Sequence, residues 1–365
     1  MSSTSSSDES ESKWSNESLS TETTGVTENQ LTMSGNVPVP SIDVQQRGRR
    51  RTWSSIGMEQ PNENPYNSQV NFSQTSANNS NNNKKFNKTT NSLKMPEKIP
   101  VTGLRQSPID IQSSSTESGS NRTKRSLTGD DGSNAPLTID YSAITGSAGL
   151  TLENTGHGWK LNIPDEIAAQ CPITGGPLGS DQYRLLQIHC HWGRDASCGS
   201  EHTIDGKSFP CEVHLVHWNS TKYANPSEAM ECYADGLSVI GVFINTENSD
   251  TDCEFMDLII KMLPNIQFKG QSTSVDDSIE LDINSLIPLR EAPKFWNYEG
   301  SLTTPPFSES VIWIVMEQPI EAKDEQLSKF RQMNTNGPSS DEVTMLQENF
   351  REVQSLNNRE IVYFN

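Results

Sequence analysis

All six histidines of the chain lie between positions 157 and 217, and the segments that carry most of them alternate in the manner of β-strands. In Tyr183 to Gly193, YRLLQIHCHWG, His189 and His191 are two residues apart. Side chains on a strand alternate faces, so both imidazoles project from one side as a chelating pair. In Glu212 to Asn219, EVHLVHWN, His214 shares a face with Glu212 and Val216, and His217 points the other way. A fold that sets these two strands side by side gathers three imidazoles around one point. Three neutral imidazoles and one open position form the donor set of a catalytic zinc site, because structural zinc sites close with a fourth protein ligand. An oxygen-rich Ca²⁺ or Mg²⁺ loop is absent from these segments. Gln187, on the face of His189, is placed to accept a hydrogen bond from that ring's far nitrogen. Glu212 is placed to orient His214 and raise its basicity.

The surrounding sequence predicts a mainly β domain. Leu137–Tyr141, Leu150–Glu153, Trp159–Ile163, Tyr183–Trp192, Glu212–Trp218, Leu237–Ile244 and Val311–Glu317 are short apolar or alternating runs, punctuated by turn residues such as Thr174 to Pro177 and Asp205-Gly206. Helical signals are fewer: Asp252–Leu263, closed by Pro264, and Asp324–Met333, closed by Gly337.

Only 32% of the chain is apolar, and the deficit sits at the start. Residues 1–98 run through Ser, Thr, Asn and Gln, a composition that buries too little apolar surface to offset chain entropy. They are expected to form a disordered tail, with residues 99–365 as the folded domain and 113–134 as a polar surface insertion. The tail holds ten acidic and ten basic side chains, so the whole net charge of −19 falls on the domain. Such a domain repels nucleic acid and anionic lipid.

No run reaches the length of a membrane span, and neither a secretory signal nor a lipid-anchor tail is recognisable, so a cytoplasmic location is the expectation. The six cysteines are then expected as reduced thiols, and none shows C-x-x-C spacing. Within the tail, Arg47 to Arg51 followed by Thr52, Trp53, Ser54 and Ser55 reads either as a contact for a basophilic kinase or adaptor or as a solvated charge cluster.

From about Gln106 to the C-terminus the chain resembles the alpha carbonic anhydrases. QSPIDI (Gln106 to Ile111), NTGHGW (Asn154 to Trp159), YRLLQIHCHWG, GSEHTIDG (Gly199 to Gly206), EVHLVHWN and YEGSLTTPPFSE (Tyr298 to Glu309) follow in that family's order and approximate spacing. The resemblance implies a large twisted, mostly antiparallel central sheet with a few short peripheral helices and zinc in a conical cleft. It implies a carbonate dehydratase, a lyase that reversibly hydrates carbon dioxide to bicarbonate and a proton by zinc-bound hydroxide.

Carried over by position, the resemblance makes His189, His191 and His214 the zinc ligands. It makes His157 a proton shuttle, and Thr303, held by Glu201, a group that orients the nucleophile. Val216, Val239, Leu302, Val311 and Trp313 become the apolar wall for carbon dioxide, with Thr304 beside it. Gln187, Glu212 and Asn349 become supports behind the ligands, and His202 a buried structural residue. The sequence departs from the family at three places. No Trp-x-Tyr segment precedes Gln106, Thr155 and Lys160 stand where asparagines are common, and Val101 and Phe307 occupy positions that secreted members join by a disulfide. A different reading is a silent binding or scaffold protein that acts through its N-terminal tail. The intact triad, with Glu201 and Thr303, weighs against a silent module, and deleting residues 1–98 separates a role carried by the tail.

Overall fold

In this computed structural model, residues 101–113, 135–144, 149–231, 234–247, 249–276, 281–288 and 293–365 are described. The expected tail 1–98, the basic run Arg47 to Ser55 and nearly all of the expected insertion 113–134 lie outside them.

The strands are β1 (Asp110–Ile111), β2 (Thr151–Asn154), β3 (Trp159–Asn162), β4 (Tyr183–Trp192), β5 (Thr203–Ile204), β6 (Cys211–Asn219), β7 (Leu237–Asn245), β8 (Ser272–Ser274), β9 (Phe295–Gly300), β10 (Val311–Met316), β11 (Ile320–Glu321) and β12 (Val362–Phe364). Nine of them form a continuous sheet in the order β12-β9-β10-β7-β6-β4-β3-β2-β8, and β11 adds to β7. Within it only the β10–β7 and β11–β7 pairs are parallel. β1 and β5 form a separate parallel pair. The expected mostly antiparallel sheet is what the chain forms.

Among the described residues, four short α-helices, α1 (Asp165–Ala168), α2 (Pro226–Met230), α3 (Glu254–Met262) and α4 (Asp324–Phe330), accompany the sheet. α2 starts where Asn225 caps the Glu228 amide and Pro226 takes the first position, where no amide is needed. α3 and α4 are tied by Gln326, which exchanges two hydrogen bonds with the Cys253 backbone at 3.0 and 3.1 Å.

The central strands are buried on both faces, and the two faces have different cores. Cys211, Val213 and Leu215 of β6, with Ile240, Val242 and Ile244 of β7, pack toward α3 and α4. Val216, Val239, Val311, Trp313 and Val315 pack on the other side. A β-bulge in β4 is what turns the histidines to that second side. Leu185 pairs with His217 and Gln187 with Val216, so Leu186 is the extra residue. Before it, Tyr183 and Leu185 point into the first core; after it, Ile188, Cys190 and Trp192 do. The odd-numbered His189 and His191 therefore face the second side.

Two expectations need correction. Leu137–Tyr141 is not a strand: Thr138 makes one isolated bridge to Thr174, and the Tyr141 amide is taken by the Asn284 side chain at 2.9 Å. Conversely Phe295–Gly300, absent from the expected runs, forms β9. It alternates, with Phe295 in the first core and Trp296 and Tyr298 in the second.

Candidate metal centre

β4 and β6 pair so that His189 lies directly across from His214 and His191 across from Glu212. The three rings stand with centroids 4.7 to 5.1 Å apart, and one ligand atom of each lies within 4.8 Å of the others. His191 and His214 are buried and His189 is half-buried.

Each ring is held by its far nitrogen. His189 Nδ1 meets Gln187 Oε1 at 2.9 Å, and His191 Nδ1 meets the Asn349 carbonyl at 2.8 Å. His214 Nε2 meets Glu212 Oε1 at 2.9 Å. Carbonyl and carboxylate oxygens only accept, so the ring protons sit on those nitrogens. The remaining nitrogens, His189 Nε2, His191 Nε2 and His214 Nδ1, are left with bare lone pairs turned toward one another. His189 Nε2 and His191 Nε2 are 3.1 Å apart, a repulsive contact between two acceptors unless a cation lies between them. Tetrahedral zinc with ligands at about 2.0–2.1 Å sets neighbouring nitrogens about 3.3–3.4 Å apart. The residues fit a zinc ion.

Electrostatics favours the neutral rings that a metal requires. Burial first, then the neighbouring His191 and His214 and the Lys160 ammonium, hold the His189 pKa well below the ordinary imidazole value. Burial also lowers that of His191. For Glu212 burial pushes upward, but His202 and His214 outweigh it and hold the carboxyl well below the usual range. Its oxygens are fully used: Oε2 accepts the amides of Glu201 and His202 at 2.9 and 2.8 Å, and Oε1 meets His202 Nδ1 at 2.7 Å as well as His214. His202, Glu212 and His214 thus form a closed hydrogen-bonded chain, continued by His202 Nε2 to Tyr298 Oη at 2.6 Å. It offers a metal no open position.

The expected wall residues Val216, Val239, Val311 and Trp313, with Leu302 packed against them, share the second core. Val216 faces Val239, and Val239 faces Trp313, across adjacent strands. The Trp313 ring lies 4.9 Å from that of His214. Val311 is buried, Leu302 half-buried, and Thr304 exposed. Asn349 does more than expected. Its carbonyl holds His191 while its side-chain amide donates to the His157 carbonyl at 2.8 Å. His157 is exposed on the turn between β2 and β3. Its pKa is lowered by desolvation and then by the Lys269 ammonium.

The expected Thr303–Glu201 hydrogen bond is not formed. Glu201 Oε1 accepts the Arg351 amide at 2.9 Å, and among the described residues its buried Oε2 has no hydrogen-bond partner. The carboxylate is oriented by that amide; Oε1 lies 3.4 Å from His191 Nδ1 and Oε2 lies 3.9 Å from His214 Nδ1. His217 sits on the opposite face as expected, 2.7 Å from Tyr141 Oη, with burial pushing its pKa down to about 3.

Gly241 and Arg351 escaped the sequence reading. Gly241 faces His214, and a Cβ there would stand 2.8 Å from Glu212 Oε1. The signal was a lone glycine inside a strand, which marks a close approach. Arg351 supports Glu201 through its backbone, for which its side-chain type gives no sign.

The chain is similar to proteins of one family. A profile of the eukaryotic-type carbonic anhydrases matches residues 94–365. Carbonic anhydrase 7 of Homo sapiens is 38% identical over 257 residues, which cover 70% of this chain and 87% of that one. Carbonic anhydrase 5A, mitochondrial, of Rattus norvegicus is 38% identical over 259 residues, 71% of this chain and 76% of its own. Carbonic anhydrase 1 of Oryctolagus cuniculus is 35% identical over 259 residues, 71% and 98% of the two chains.

Proposed function

Because the chain belongs to the eukaryotic-type carbonic anhydrase family, we propose that it reversibly hydrates carbon dioxide to bicarbonate and a proton, with zinc held by His189, His191 and His214. The observation that carries this reading is the convergence of three imidazole nitrogens whose far partners are all acceptors. When bound there, zinc supplies a Lewis acid that polarises oxygen and acidifies water.

The chain's own residues supply the rest. Val216, Val239, Val311 and Trp313, with Leu302 at their edge, are the apolar wall against which an uncharged, linear substrate rests without competing water. Thr304 stands at the exposed end of that wall. Gln187, Glu212 and Asn349 fix the ring orientations and keep the metal-facing nitrogens unprotonated. Glu201, with its Arg351-anchored oxygen and its bare buried Oε2, is the acceptor available to a hydroxyl at the site, and Thr303 carries the hydroxyl for that role. His157 takes the released proton to buffer: it is exposed on the β2–β3 turn, and an imidazole nitrogen can accept a proton and pass it on.

The family does not fix the compartment, because one relative is a mitochondrial form. Among the described residues no helix is long and apolar enough to cross a membrane.

Stopped-flow hydration together with zinc quantification tests the proposal. His214→Ala should lose zinc and hydration together, whereas a variant with normal zinc content and activity would refute the ligand set. Deleting residues 1–98 should leave hydration intact. Lost hydration would instead favour a protein that works through its tail.

A further inference from the structure

Lys160 of β3 lies directly across from His189 of β4. Cross-strand partners share a face, with Cβ atoms about 5 Å apart, so the ammonium stands on the metal-facing side of the sheet. A carboxylate answers it from the next strand. Glu153 of β2 pairs with Lys160 in register, and its Oε1 is 2.6 Å from Lys160 Nζ. Asn162 Nδ2 donates to the same oxygen at 3.3 Å, so Glu153 is held from two sides. The two side chains are 26% and 32% exposed. A pair this open to solvent adds little to stability, yet it is the cation–carboxylate pair that flanks a ligand histidine.

An anion at the open position of the centre lies in the field of Lys160, and Glu153 cancels part of that field. We propose that the Glu153–Lys160 pair sets the affinity of the site for small anions, bicarbonate among them. Lys160 raises the affinity and Glu153 holds it down. The inference rests on reading the three histidines as a zinc site. Its consequence is kinetic: an anionic product leaves a neutralised cation more readily than a bare one.

The test titrates thiocyanate into the zinc-loaded full chain by calorimetry, with zinc per chain measured in every preparation. Lys160→Gln should weaken binding and Glu153→Gln should tighten it, each by about three- to tenfold, as expected for one partly screened unit charge at this range. The double variant, with both charges gone, should return close to the wild-type value. Raising the ionic strength should compress the differences, which a purely structural effect would not do. Full zinc content with indistinguishable thiocyanate affinities in all four proteins overturns the proposal and leaves the zinc site standing. A wild-type chain that holds no zinc overturns the zinc reading, and this inference with it.

Discussion

Glu309→Gln should cost on the order of 3 kcal/mol at neutral pH, and the cost should vanish in acid. Glu309 lies just before β10 and clamps the segment leading to β1. Its Oε1 accepts from the Arg105 amide at 2.9 Å and from Gln106 Nε2 at 3.1 Å. Its Oε2 accepts from the Thr102 amide and hydroxyl, both at 2.9 Å. Burial pushes this carboxyl up, but the amides of Thr102 and Arg105, with the Gln106 and Thr102 side chains, outweigh it and bring the pKa from 4.5 to about 2. At about 1.4 kcal/mol per pH unit that gap is on the order of 3 kcal/mol. The folded-state pKa is depressed, so the contribution is complete above the unfolded carboxyl's pKa and is lost as pH falls from about 4.5 toward 2. Glutamine keeps the shape and removes the charge at every pH. Urea unfolding of wild type and variant, followed by tryptophan fluorescence at neutral pH and in steps down to acid, reads the difference while the other carboxylates cancel. A gap as large in acid as at neutral pH would show that the charge is not what holds the segment. No gap at neutral pH would refute the clamp.

Gly241→Ala should lower zinc affinity by about ten- to a hundredfold in chelator competition, because the new Cβ displaces Glu212 from behind His214; unchanged affinity would contradict the packing. His157→Ala should slow hydration in dilute buffer by about tenfold or more and be rescued by added imidazole; without rescue, protons leave by another route. Lys269→Gln should raise the His157 pKa measured by NMR, because the removed ammonium contributes to its depression. An unmoved value would assign the depression to desolvation alone.

Where one residue type at one spacing dictates geometry, the sequence was legible. The two-residue spacing of His189 and His191 set both on one face of β4, and Gln187 and Glu212 took the partners that their parity implied. Long-range partners were not legible in this way. The bulge falls within the Leu185-Leu186 pair, where two adjacent leucines do not tell which face each takes, and its pairing with β6 shows that the faces exchange. β9 hid because apolar residues occupy both of its alternating faces, Phe295 in one core and Trp296 and Tyr298 in the other, so no one-sided apolar pattern marks it. The Arg351 amide on Glu201 joins residues 150 positions apart through a backbone atom, which no residue type announces. Leu137–Tyr141 misled for the opposite reason: its alternation reflects burial, while a side chain satisfies its backbone.

Zinc K-edge absorption on the purified full chain tests the metal centre most directly. Three imidazole nitrogens at about 2.0–2.1 Å and one further light-atom donor from solvent are the expected shell. A sulfur scatterer, a fourth imidazole, or a chain that purifies and refolds without zinc while hydrating carbon dioxide would contradict it.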